Sequence, residues 1–359
     1  MDCSPTDLAN FRSGILDQTY LGQICGSKQL FRDRYEIRKL LGRGGFGVTF
    51  LARDRKLPSS PLCVIKQLCP KVQDQAALQK ARQRFEQEAK ALGRLGSHSQ
   101  IPQLLNYFET EGEFYLVQEY IRGSTLNKEL RQSGAFSEEK VREFLRELLP
   151  LLRYVHKNRV IHRDIKPPNI LRCEDDGRLV LIDFGAVKER ISTADHSSIR
   201  TSTQFVGTIG FAPPEQLSLR PVYASDIYAV GVTCLYLLTG KTPIEFEYEP
   251  TTGDIKWRNW VQVSDHFGRV LDKMLRVSAC DRYQSAEDVL RALELEPHLD
   301  YLLPCMSNQP LAAAPSQPSS SREFVSPLVR TAIAIREWQV RLQERREAQD
   351  ASDQLLSDD

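Results

Sequence analysis

The stretch VIHRDIKPPNIL, residues 160 to 171, sets His162, Arg163, Asp164, Lys166 and Asn169 between two apolar ends. Pro167 and Pro168 forbid a helix through its middle, because proline has no amide donor and biases the preceding residue to extended backbone. The stretch therefore reads as a stiff polar loop held at both ends by residues that bury themselves.

The next segment, RCEDDGRLVLIDFG at 172 to 185, carries Asp176-Gly177, a tight-turn signal between two short strands. Folding the chain antiparallel about that turn brings Asn169 and Asp183, each about seven residues from it, to the same open end. Asp164 lies on the adjoining loop. Two carboxyl groups and an amide oxygen then converge, and such hard donors suit Mg²⁺, which takes few protein oxygens and completes its shell with phosphate and water. The bland reading makes Asp164 and Asn169 turn formers and Asp183 a strand cap; it explains each residue singly and not their convergence.

Outward from this point the chain has two textures. YEIRKLL (35–41), VTFLA (48–52), LCVIKQL (62–68) and EFYLVQEYI (113–121) read as strands, with one helix at 74–95 opened by Asp74. Beyond residue 121 helices dominate, including 137–158, capped by Ser137, and 225–240, ended by Gly240. Residues 1–34 read as an N-terminal extension, 296–327 as a Pro- and Ser-rich linker, and 328–359 as a helical tail with an apolar stripe through Val329, Ile333, the stem of Arg336 and Val340, and with Trp338 favouring some contact.

Composition narrows the function. Of 359 residues, 41% are hydrophobic and 26% charged, ordinary values for a chain that buries a core. A net charge of +1 gives no global attraction to nucleic acid or an anionic membrane. No run approaches the ~20 apolar residues of a membrane span, and the first thirty residues lack the apolar core of a signal peptide. A cytoplasmic protein is the expectation. The eight cysteines have no paired spacing; reduced thiols are expected, and Cys3 with Cys25 makes a poor zinc site.

LGRGGFGVTF (41–50) contains Gly42, Gly44 and Gly47. That spacing also occurs in plain hairpins and in dinucleotide folds, but here a strand follows and not a helix. Bare backbone N–H groups on a glycine turn between strands can cover phosphates. Lys66 sits in an apolar strand, where a lysine commonly faces solvent. In the following helix, however, Glu88 shares the inward face of Phe85, Ala89 and Leu92, and an inward carboxylate needs a cation. Lys66 is the candidate partner.

Taken in order, the glycine loop, Lys66, Glu88, HRDIKPPN and DFG resemble the signature set of the protein kinase family. GTIGFAPPE (207–215), Asp226 and Arg282 resemble further members of that set, Arg282 being the expected partner of Glu215. The resemblance covers about residues 35–295 and implies a bilobal α+β fold. A small antiparallel β-rich N-lobe with one main helix (35–120) would precede a larger helical C-lobe (121–295).

It also implies roles. Leu41, Gly42, Gly44, Gly45, Phe46, Gly47, Thr49 and Val64 would enclose ATP, with Glu119, Tyr120 and Ile121 as the hinge beside adenine. Lys66, positioned by Glu88, would hold phosphates; Asn169 and Asp183 would bind Mg²⁺ or Mn²⁺; Asp164 would take the acceptor's proton, aided by Lys166. Lys166 and Thr208 resemble the serine/threonine class (EC 2.7.11.1), with protein substrates. Thr49, Val64 and Pro213 depart from the usual valine and alanines without removing a chemical group.

GGFGVTF, HRDIKPPN and APPEQ together resemble bacterial, eukaryotic-like serine/threonine kinases. Thr201, Ser202 or Thr203 is the expected site of autophosphorylation within a homodimer, with Arg163 receiving the phosphate. The C-terminal helix is expected to meet a partner or the catalytic domain. A catalytically silent scaffold and a small-molecule kinase are the competing readings; the first would lack some of the polar residues present here, and the second typically lacks the GTIGFAPPE segment.

Overall fold

The computed structural model describes residues 19–43, 47–68, 75–96, 98–184, 188–189 and 210–295. The chain divides into two compact units, Met1–Leu290 and Arg291–Asp359, and nearly all described residues belong to the first. The linker and tail read at 296–359 lie outside the described residues, as do residues 1–18.

Strands β1 (Leu30–Phe31), β2 (Tyr35–Arg43), β3 (Gly47–Asp54), β4 (Leu62–Leu68), β5 (Leu104–Thr110) and β6 (Glu113–Glu119) form one antiparallel sheet in the order β1-β2-β3-β4-β6-β5. Sequence reading found neither β1 nor β5. β5 is half-exposed along its length and shows no clean alternation. Its register comes from the turn: Glu111 and Gly112 both have positive φ, 53° and 76°, which closes a two-residue hairpin onto β6.

Residues preceding 35, read as an extension, also belong to this sheet's core. A short helix α1 (Tyr20–Gln23) is capped by Thr19, whose Oγ1 accepts from the Gly22 N–H at 3.0 Å. Leu21, Ile24 and Phe31 are buried with Ile37, Val48, Phe50, Cys63, Ile65, Tyr115 and Val117.

Helix α2 (Gln75–Leu95) packs on β4, β5 and β6. Phe85, Ala89 and Leu92 are buried as its periodicity predicts, and Glu88 is buried among them at 4% exposure. The helical half follows through β7 (Gly123–Thr125), α3 (Leu126–Ser133) and α4 (Glu138–Lys157). Ser137 caps α4, accepting from the Lys140 N–H, while Glu138 and Glu139 face the positive end of the helix dipole.

After β8 (Val160–Ile161) comes the polar loop, then β9 (Ile170–Cys173) and β10 (Leu179–Leu181), an antiparallel hairpin with Leu181 opposite Ile170. This is the hairpin expected about Asp176-Gly177. Lys188–Glu189 (β11) pairs with β8. The remaining helices are α5 (Pro214–Leu217), α6 (Tyr223–Thr239), α7 (Asp265–Met274) and α8 (Ala286–Glu294).

Helix α6 is buried almost all round, so its few polar groups must find partners inside the protein. Thr233 Oγ1 donates to the Ala229 carbonyl at 2.8 Å. Asp226, wholly buried, accepts from the backbone N–H groups of His162 at 2.9 Å and Arg163 at 2.8 Å, and sits 2.9 Å from His156 Nε2. An ion pair joins buried Arg282 to half-buried Glu215: Nη1 to Oε1 at 2.6 Å and Nη2 to Oε2 at 3.0 Å, as the sequence led us to expect. Ser225 and the carbonyls of Arg276 and Val277 complete its hydrogen bonds.

Three outcomes follow. Arg282→Ala leaves the Glu215 carboxylate unpaired and costs about 3–5 kcal/mol, read by urea unfolding. A Cβ on Gly47 would lie 2.3 Å from the Gln67 carbonyl oxygen, and nothing lies within 4 Å of one on Gly42. Gly47→Ala therefore lowers Tm by several degrees, and Gly42→Ala shifts stability by less than about 0.5 kcal/mol. Burial pushes the Asp226 carboxyl up, but His156, His162 and the Arg163 N–H more than offset this and hold it below the ordinary carboxylate value of 3.8. A carboxylate depressed in the folded state stabilises above its unfolded pKa and loses that contribution as pH falls through the folded value. Acid unfolding of Asp226→Asn should accordingly show a shallower loss of stability below about pH 4 than wild type.

Candidate active site

Lys66 lies on β4, opposite Thr49 of β3. Alternation along the strands turns Thr49, Val64 and Lys66 to one face and Phe50 and Ile65 to the other. On its face Lys66 Nζ meets Glu88 Oε1 at 2.5 Å and Asp183 Oδ1 at 3.1 Å. Burial works against the ammonium, yet Asp183 and Glu88 together hold its pKa above the ordinary lysine range. The same cation lowers the Asp183 carboxyl. Glu88, more deeply enclosed, is pushed up by burial against the pull of Lys66.

These three groups carry one positive and two negative charges when ionised. A site left with an excess negative charge favours a further cation.

The polar loop is shaped from below. Asp226 pins the amides of His162 and Arg163, and Gln216 Nε2 donates to the Arg163 carbonyl at 2.6 Å. Arg163 has φ 70° and Asp183 φ 66°, left-handed conformations that side-chain-bearing residues rarely adopt. Such backbone persists where surrounding bonds over-determine it, as they do here for Arg163. His162 is wholly buried, edge-on to Phe184 at 4.7 Å, and burial keeps its pKa low.

At the open end the expected convergence is present. Asn169 Nδ2 donates to the Asp164 carbonyl at 2.8 Å and to Asp164 Oδ2 at 2.9 Å; Lys166 Nζ approaches the same Oδ2 at 2.8 Å. The Asn169 carbonyl accepts from the Ile182 N–H at 2.9 Å, which sets Asp183 beside this cluster.

The donor set suits a hard divalent ion. With Asn169 Nδ2 committed to Asp164, its Oδ1 is turned the other way, and the Asp183 side chain is 49% exposed. One amide oxygen and one carboxylate are what Mg²⁺ asks of a protein when phosphate and water supply the rest.

Of the other candidate residues, Val64 is buried at 8% exposure, Thr49 is half-buried, and Leu41 is exposed at the end of β2 beside Gly42. Glu119 ends β6, with its N–H donating to the Gln103 carbonyl. Tyr120 is half-buried, and Ile121 packs with Cys173, Val180, Leu171 and Ile182. Gly47 is tied to strand packing against Gln67. Gly44, Gly45, Phe46, Thr201, Ser202, Thr203 and Thr208 lie outside the described residues.

Sequence reading missed His156 and Gln216, which act on the loop through backbone and Asp226, and Tyr154. The Tyr154 hydroxyl donates to the Leu95 carbonyl at the end of α2. A signal was present only for His156, which precedes the loop by a few residues on an amphipathic helix.

The model of the family described as the protein kinase domain matches residues 35–292. Serine/threonine-protein kinase B of Synechocystis sp. (strain ATCC 27184 / PCC 6803 / Kazusa) is 49% identical over 305 residues, 83% of this chain and 53% of the relative. Serine/threonine-protein kinase PknA of Nostoc sp. (strain PCC 7120 / SAG 25.82 / UTEX 2576) is 46% identical, over 75% of this chain and 48% of the relative. Aurora kinase C of Mus musculus is 31% identical, over 76% of this chain and 95% of its own length. The chain thus spans about half the length of the bacterial relatives. No helix among the described residues is long and apolar enough to cross a membrane. The fold, the order of the motifs and the extent of the family match all agree: the chain belongs to the protein kinase domain family.

Proposed function

We propose that the chain is an ATP-dependent serine/threonine protein kinase that transfers a γ-phosphoryl group to hydroxyls of protein substrates. The observation that carries this reading is the pairing of Lys66 with both Glu88 and Asp183 beside the cluster of Asp164, Lys166 and Asn169.

Phosphoryl transfer asks little covalent work of a protein and much positioning and charge stabilisation. Lys66 would hold the phosphates on the inner face of β4, and its tie to Glu88 fixes where the ammonium stands. Asp164 would orient the acceptor hydroxyl and take its proton; two donors on its Oδ2 hold the carboxylate in one plane. Lys166, on the same oxygen, can turn to the transferred group. Mg²⁺ held by Asn169 and Asp183 would neutralise charge on the phosphates. Glu119 to Ile121 would meet adenine through the backbone.

Regulation extends the proposal. Arg163 is buried at 6% exposure next to Asp164, so a phosphate on Thr201, Ser202 or Thr203 that paired with it would order the segment before Glu215. Transfer between two copies would supply that phosphate.

Full-length protein incubated with labelled ATP and Mg²⁺ should phosphorylate serine or threonine, and Asp164→Asn should be slower by ~10²–10⁴. Equal incorporation by both would sink the assignment of the base. None by wild type, with ATP still bound, would favour a silent scaffold. Replacing Thr201, Ser202 and Thr203 together by alanine should lower activity; an unchanged rate would remove the loop control alone.

A further inference from the structure

The sheet that carries Lys66 has a second face, and the chain covers it with its own residues 19–31, upstream of the family match, which begins at 35. Leu21 is fully buried there, Ile24 is 4% and Phe31 2% exposed. Phe31 stands 4.7 Å from Tyr115 and 6.0 Å from Phe108, whose rings stack on each other at 5.4 Å. The segment is also tied by backbone: Leu30 and Phe31 pair with Glu36 and Tyr35, and the Gly26 N–H donates to the Ile37 carbonyl at 2.9 Å. Beneath it lie Val48, Phe50, Cys63 and Ile65.

Val48 and Phe50 flank Thr49, and Cys63 and Ile65 flank Val64, so each residue of the nucleotide face has immediate neighbours under the strap. A packed interior transmits displacement because it leaves little room to absorb it. On these grounds, and resting on the kinase reading above, we propose that residues 19–31 are a positioning segment for the nucleotide site. By filling the outer face they hold the β2–β3 ribbon and β4 at the height that lets Thr49, Val64 and Lys66 meet ATP. Leu21, Ile24 and Phe31 touch no reactant; they act through Phe50, Cys63 and Ile65. The segment is thereby part of the catalytic unit.

The test uses the full chain with Phe31→Ala, with Ile24→Val as a one-methylene change that leaves the fold intact, and with exposed Lys28→Ala as control. KM for ATP and kcat are measured well below each Tm. In parallel, hydrogen exchange is followed at the amides of residues 48–51 and 63–66. Phe31→Ala should raise KM for ATP by about an order of magnitude, short of the ~10²-fold that a 1 Å misplacement costs, with kcat changed less. Those amides should exchange faster. Ile24→Val should move both readouts the same way by less, and Lys28→Ala should match wild type. A lower Tm with KM and exchange both unchanged, in whichever of Phe31→Ala and Ile24→Val folds, would overturn the proposal and leave the segment a structural cover only. An inactive wild type would instead remove the kinase reading, and the exchange data would still decide whether the strap orders β3 and β4.

Discussion

A single buried carboxylate organises the chemistry of the helical half. Asp226 is fully enclosed by α6 and its neighbours, where an unpaired charge is costly, and it discharges that cost on two backbone N–H groups and a histidine. The N–H donors belong to His162 and Arg163, immediately before Asp164. Satisfying Asp226 therefore dictates the path of the loop: Arg163 takes positive φ, its carbonyl turns to Gln216, and Asp164 emerges where Lys166 and Asn169 can reach it. Because Asp226 bonds to the backbone of His162 and Arg163, it fixes the start of the loop whatever those two side chains do, while Asn169 fixes the other end through its own bond to the Asp164 carbonyl.

The sheet half solves a different problem, the placement of a lysine on a strand that must also be part of a core. Lys66 reaches two carboxylates that come from different parts of the chain, one from α2 and one from the end of the β9–β10 hairpin. Either pairing alone would be an ordinary ion pair. Together they connect the sheet, its helix and the polar loop through one ammonium, and a movement of α2 that withdrew Glu88 would change the charge felt by Asp183. The Tyr154 bond to the end of α2 restrains such movement from the helical side.

Much of this was legible in the sequence because it rests on periodicity and local turn chemistry. The inward position of Glu88 follows from its spacing to Phe85, Ala89 and Leu92, and the meeting of Asn169 with Asp183 follows from a hairpin whose turn is written as Asp176-Gly177. The weak alternation of β5 and the short pairing of β1 gave no such signal. Leu21 and Ile24 make a single helical spacing and Phe31 lies seven residues further on, too few positions to show a period, and only the apolar sheet face they cover explains them. The roles of His156 and Gln216 were not legible for another reason: their partners lie far along the chain, and nothing in a single sequence pairs residue 156 with 226 or 216 with 163.

The amino-acid sequence alone determined the two textures of the chain, the order of its polar motifs and the chemical type of each candidate group. Those are properties of short segments, set by side-chain type and by the two repeats that helices and strands allow. Tertiary structure decided which groups meet. It gave Lys66 a second carboxylate, bent the polar loop around a buried Asp226, and laid residues 19–31 across the back of the sheet. Contacts of that kind form where apolar faces and unsatisfied charges from distant segments must be buried together, and their partners are chosen by the packed whole.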